Sequence, residues 1–361
     1  MSTASSSEII SSQRAARTVA VPDGWRKGQF ALLFVLTLLA AWFGTLGFKS
    51  PSTETGAADN FHVADLAGFL VMGAIIWLTT PTAWTIASTT FQEAIRRRWL
   101  TALLGFAVVM IAISTFFTWM QPGEEQKFLR DFGVGFTVIM TLIVAIFLGV
   151  ALVPPEIERR TIFTILSKPV TRVEFLLGKY LGLCLVLLLN IALMSLMFLA
   201  CYALFLIRQE GSIGAALMAD NQGVSKQGML FDLWNMSKAL GLQYGLVTVM
   251  GAVAILLSQV LANITAIISS FVVYFAGQSA PYWEHLARDT GAGPSFGALV
   301  SGLVSTLYFF LPRLDRFEVR ERLVNDLPIH FNYILKAESS GAIYVAAMLA
   351  LAYFVFGDRE F

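Results

Sequence analysis

The chain has 361 residues, of which 57% are hydrophobic and only 14% charged, and its mean hydropathy is +0.70, whereas a soluble domain carries about a quarter charged residues. That much apolar surface cannot be enclosed in one aqueous core of this length, so a bilayer must supply the remaining apolar surroundings. The 25 Lys and Arg against 24 Asp and Glu leave a net charge of +1, which gives no global basic field to hold nucleic acid, and the two cysteines, Cys184 and Cys201, share one apolar run, which excludes a disulfide scaffold or a Cys-based metal cluster.

Residues 1–29 are rich in Ser, Ala and Arg and read as a disordered cytoplasmic leader ending in Arg26 and Lys27. The run 30–48 is nearer the length of a full span than of a signal-peptide core, and no small-x-small cleavage site follows it, so it reads as an uncleaved helix. Further apolar runs fall at 66–87, 99–120, 133–153, 178–206, 240–261, 263–280 and 342–357. Each is long enough, or nearly so, to cross about 30 Å of hydrocarbon. The expectation is an all-α polytopic bundle of about 8 transmembrane helices, with 240–261 and 263–280 as a tight hairpin.

Orientation follows from the basic residues. Arg96, Arg97 and Arg98, and Arg159, Arg160, Lys168 and Arg172, crowd short loops that fall on the same side as the leader. The positive-inside bias therefore places both termini in the cytoplasm. The run 294–312 is apolar but carries Gly297, Ser301, Gly302 and Ser305 and ends at Pro312. It reads as a re-entrant or interfacial helix within an external region 281–340; if it spans instead, the C-terminus moves outside.

None of the eight runs holds an Asp, Glu, Lys, Arg or His in its interior, with charges such as Asp131 and Lys179 only at ends. This disfavours coupling to a cation gradient and leaves no acid–base pair for intramembrane catalysis. No phosphate loop is present, because Gly178-Lys179 is followed by Tyr180 and lacks the glycine five positions earlier. If ATP drives the protein, another chain hydrolyses it.

The densest local design is PPEIERRTIFTILSKPVTRVEFLLGKY, residues 154–180. Pro155 suits a first helical position and Glu156 and Glu158 suit the first turn. Ile162, Ile165 and Leu166 make an apolar stripe, and Arg160, Thr164, Ser167 and Lys168 a polar one, on a surface helix that Pro169 ends. Thr171 and Glu174 then have capping-box spacing and start a helix that runs through Gly178 and Gly182 into the membrane. The same spacing occurs at Thr90 and Glu93 ahead of the run at 99–120. A surface helix, a proline corner and a capped long helix make a stiff lever, which a loop that merely turns the chain does not need.

Glu158-Arg159-Arg160-Thr161-Ile162, then Leu166 to Arg172, then Glu174 and Gly178-Lys179 resemble the first cytoplasmic loop of ABC-2 type transporter permeases. The nearest branch is the one described as an ABC permease involved in multi-copper enzyme maturation. FQEAIRRRW at 91–99, FLPRLDRF at 310–317 and the terminal Arg359-Glu360-Phe361 add to the resemblance. It covers 88–361 with six spans, leaving 30–87 as a two-helix N-terminal extension. The resemblance implies a transport subunit of the cell inner membrane, without an ATPase site of its own, that pairs with a second permease copy or paralogue and with two copies of a cytoplasmic ABC ATPase. It further implies an exporter in which Glu158, Arg159, Arg160, Thr161, Lys168, Pro169 and Arg172 touch or position the ATPase, and the polar stripe adds Thr164 and Ser167 to the face expected to meet it. The alternative is an energy-independent channel or a structural membrane protein.

Asn190 is the most polar side chain at depth, with Met194 and Met197 at i+4 and i+7. These three are candidates for lining a path, against the plainer account of an interhelical amide and a packed apolar face. His62, His285 and His330 are scattered without ligand spacing, so no metal site, cofactor or catalytic residue is expected.

Overall fold

A computed structural model describes residues 81–117, 124–152, 171–210, 229–279, 312–325, 327 and 329–357. The run at 30–48, most of 66–87 and of 294–312, and segment 153–170 lie outside the described residues. The described residues are all helical or irregular. In chain order the helices are α1 (Pro81–Ile95), α2 (Arg98–Phe117), α3 (Glu125–Leu152), α4 (Arg172–Glu210), α5 (Met229–Val260), α6 (Asn263–Gln278), a 3₁₀ turn (Leu314–Phe317), α7 (Arg320–Val324) and α8 (Phe331–Gly357). Among the described residues five helices, α2, α3, α4, α5 and α8, are long and apolar enough to cross a membrane; α6, with 16 residues, is shorter.

The packing fixes the directions. Trp99 lies against Phe147 and Phe106 against Phe136, so α2 and α3 are antiparallel. Gly149 meets Ala254 and Arg130 meets Asp232, so α3 and α5 run together. Leu183 meets Gly251 and Tyr202 meets Asp232, which sets α4 against α5. Glu338 meets Gly245 and Gly341 meets Val249, which sets α8 along α5. α5 is the centre: Leu242, Leu246, Val247, Met250, Ala252, Ala254 and Ile255 are fully buried. α2 is peripheral and leaves Phe106, Val109 and Phe116 exposed. The hairpin expectation agrees with α5 and α6, which are separated only by Leu261 and Ala262 and joined by Val150, Ala254 and Ala266.

Two expectations are corrected. Thr90 and Glu93 do not cap a helix, because α1 runs unbroken through both to Ile95. Thr90 is buried against Gly182 and its hydroxyl has no hydrogen-bond partner, while Glu93 pairs with Arg97 at 3.0 Å. Capping spacing cannot distinguish a helix start from a helix interior when neighbouring packing holds the preceding turn in place. The second correction concerns charge. α3, α5 and α8 begin 8 to 11 residues before the apolar runs that announced them, and so they carry Arg130, Asp131, Asp232, Lys238, Lys336 and Glu338 within continuous helices. Hydropathy marks where lipid must be met, whereas the helix continues as long as neighbours cover its polar turns.

The chain after Pro312 folds back into the bundle. The 3₁₀ turn Leu314–Phe317 sits between α5, α6 and α8: Gly277 gives room to the Pro312 carbonyl and Leu314, and Gly341 gives room to the Phe317 ring. The Gln243 side-chain amide donates to the Phe317 carbonyl at 3.0 Å, and the Tyr333 hydroxyl donates to the Arg316 carbonyl at 2.6 Å.

Candidate functional site

At one end of the bundle stands the start of α4. The Thr171 backbone N–H donates to Glu174 Oε2 at 2.8 Å, and the Glu174 N–H donates to Thr171 Oγ1 at 3.3 Å. This is the reciprocal cap expected from the sequence, and it satisfies two amides that a helix start otherwise leaves open. From there α4 continues for 39 residues without a break, about 58 Å at 1.5 Å per residue. Its first turns are braced by α1. Gly178 lies against Ile86 and the Ala83 carbonyl, and Gly182 against Thr90 and the Ala87 carbonyl. Two glycines four apart let the backbones approach closely, the usual way helices associate where hydrophobic attraction is weak. Lys179 is buried and its ammonium lies 5.8 Å from the centre of the Phe175 ring.

Of the residues expected to meet an ATPase, Arg172 is the first residue of α4. Glu158, Arg159, Arg160, Thr161, Thr164, Ser167, Lys168 and Pro169 lie outside the described residues. Asn190 and Met194 are buried against α3, where the Thr141 hydroxyl lies 3.2 Å from Asn190 Oδ1 and 3.9 Å from Met194 Sδ. Met197 is half-buried on the same helix. His330 is exposed just before α8; His62 and His285 lie outside the described residues.

The opposite end, where α3, α5 and α8 begin, holds a charged clasp. Arg130 on α3 is 2% exposed and donates from Nη2 to Asp232 on α5 at 2.9 Å and to the Tyr202 hydroxyl on α4 at 2.8 Å. Tyr202 lies 3.3 Å from the same Asp232 oxygen, so one guanidinium ties three helices. The next residue, Asp131, points the other way and takes a two-pronged ion pair from Arg320 on α7, whose side chain lies against Gly135. Arg130 and Asp131 thus fasten the bundle to itself and to the folded-in segment. Within that segment burial pushes the Asp315 carboxyl above its usual range, against the pull of Arg316 and Arg313, and burial lowers Arg316. Sequence reading missed this end because Arg130 and Asp232 flank apolar runs, where charges ordinarily mean a loop. The signal available was their acidic and basic pairing around otherwise helical periodicity.

Apolar helices long enough to span, a capped and braced rod at one end and a charge-fastened polar end at the other describe a helical membrane protein. A search among curated proteins finds no match. The family described as ABC-2 family transporter protein matches residues 20–281, a range that takes in both N-terminal apolar runs as well as the spans through α6. With most of its length matched, this multi-pass helical membrane protein belongs to the ABC-2 transporter family.

Proposed function

We propose that the chain is the permease subunit of an ATP-driven exporter and receives force from a separate cytoplasmic ATPase through 154–180. The observation that carries this reading is the start of α4: a capping box, an unbroken 39-residue helix and a glycine-mediated brace against α1. A push on the residues before Thr171 reaches the far end of α4, at Tyr202 and the charged clasp, without a hinge to absorb it. Glu158, Arg159, Arg160, Thr161, Thr164, Ser167, Lys168 and Arg172 meet the ATPase, with Pro169 setting the corner. Two permease copies and two ATPase copies complete the assembly in the inner membrane, with about eight spans per copy and both termini cytoplasmic. The motifs at 158–179, 310–317 and 359–361 favour the branch linked to multi-copper enzyme maturation.

The test uses the permease reconstituted with its ATPase. Arg160→Glu opposes the charge of the polar stripe, and Pro169→Ala lets the surface helix run on. Both variants are expected to reach the membrane at normal abundance and to lose permease-dependent stimulation of ATP hydrolysis. Normal stimulation in both overturns the docking role of this segment.

A further inference from the structure

α8 carries an acid where the apolar pattern gave no warning of one. Glu338 is half-buried, eight residues into a helix long and apolar enough to span, and its carboxylate lies against Gly245 of α5, in the space a Cβ would fill. Among the described residues it makes no hydrogen bond and no ion pair. Lys336, two residues earlier, is turned about 200° round the helix and is itself enclosed, at 2% exposure. Lys238 is engaged elsewhere, by Asn235 and the Ile329 carbonyl.

The carboxylate borders an open strip of α5. Gly241 is exposed and Tyr244 and Thr248 are half-buried, between α4, whose Cys184 carbonyl takes the Tyr244 hydroxyl at 3.2 Å, and α8. Tyr244 immediately precedes Gly245, against which the Glu338 carboxylate lies. An unpaired carboxylate between apolar helices is costly and is kept where it meets a cation. Here an acid, an aromatic residue and two glycines lie together along the strip of α5 between α4 and α8, and an aromatic ring adds attraction for a cation. We infer that Glu338, with Tyr244 and the Gly241–Gly245 floor, forms a binding site for the charged centre of a lipophilic organic cation. The inference deepens the permease reading and rests on it: the cation is cargo.

The test measures binding by the full-length chain in detergent, with tetraphenylphosphonium as the probe and tetraphenylborate, its near-isosteric anion, as the control. Tetraphenylphosphonium is expected to bind, and Glu338→Gln to weaken it at least about tenfold, as loss of one partner of a desolvated charge pair does. Tetraphenylborate binding should show no such loss, and Glu338→Asp should retain part of the affinity. In the unaltered chain, tetraphenylphosphonium should slow modification of Glu338 by dicyclohexylcarbodiimide, read by mass spectrometry. This protection measurement decides the matter alone if the Gln variant is not recovered folded. Equal affinity with and without the carboxylate overturns the site. So does modification indifferent to the probe, or a Glu338 that is never modified because a second copy covers it. No ATPase is present in either measurement, so cation binding without ATPase coupling keeps the site but rejects the permease reading and the cargo role with it, and coupling without cation binding rejects this site alone.

Discussion

Arg130 and Asp232 are each other's condition for being buried. Asp232→Leu leaves a guanidinium enclosed at 2% exposure with this countercharge gone, and loss of one member of a buried pair costs about 3–5 kcal/mol. Replacing both, as Arg130→Met with Asp232→Leu, removes the charge and its partner together and is expected to cost less than the single change. Thermal unfolding of the four proteins of that cycle in detergent measures the difference, and additive losses would mean that the pair is not coupled. Asp315 behaves in the opposite sense. Its carboxyl is raised by burial, so the folded-in segment prefers the proton; that contribution is fully present below the usual carboxylate value of 3.8 and is lost as pH rises through the raised one. Asp315→Asn keeps the shape without the charge. It should flatten the pH dependence of thermal stability above pH 4 or so and leave the neutral-pH protein no less stable. A steeper dependence in the variant would show that Arg313 and Arg316 outweigh desolvation at this carboxyl.

At the level of elements, the brace between α1 and α4 depends on the absence of two side chains. A Cβ at Gly182 would meet Thr90 and the Ala87 carbonyl, the latter at 2.9 Å, and backbone cannot yield as a side-chain tip can. Gly182→Leu is therefore expected to separate α1 from α4 and to lower thermal stability by more than 2 kcal/mol or so, as overpacking at a close contact does. Gly105 on α2 is the control. Nothing lies within 4 Å of its would-be Cβ, so Gly105→Ala should be neutral or mildly stabilising, by at most about 1 kcal/mol. Equal effects of the two changes would mean that the brace contributes nothing. The cap at Thr171 and Glu174 was legible as a motif, and so was the long helix after it. The partner of that helix was not, since Thr90 and Glu93 carry the same spacing inside α1.

For the whole molecule, the proposed coupling through 154–180 requires that end of the bundle to face the cytoplasm. With both termini cytoplasmic, Asn325, exposed after α7, faces outward, and Gln92, exposed on α1, faces the cytoplasm. In a chain with Cys184 and Cys201 replaced, an impermeant thiol reagent should label Asn325→Cys in intact cells and reach Gln92→Cys only after lysis. The opposite pattern reverses the topology and puts the charged clasp on the cytoplasmic side. Ala337 is a poor reporter, because the early start of α8 buries it completely.

The sequence by itself determined the class of solvent and the kind of secondary structure. A composition 57% hydrophobic, arranged in runs of about twenty residues, admits helices in lipid and little else, and Pro169, Thr171 and Glu174 marked the place where a long helix had to begin. Only the tertiary structure decided where α3, α5 and α8 start and what becomes of the charges near their beginnings. Hydropathy is a property of each residue against its solvent. Arg130, Asp232 and Lys336 are tolerated because neighbouring helices replace that solvent, while Glu338 lies against Gly245. Whether a charge ends a span or is enclosed within it depends on partners 30 to 102 residues away, such as Tyr202 for Asp232 and Asp232 for Arg130. No local pattern records those distances.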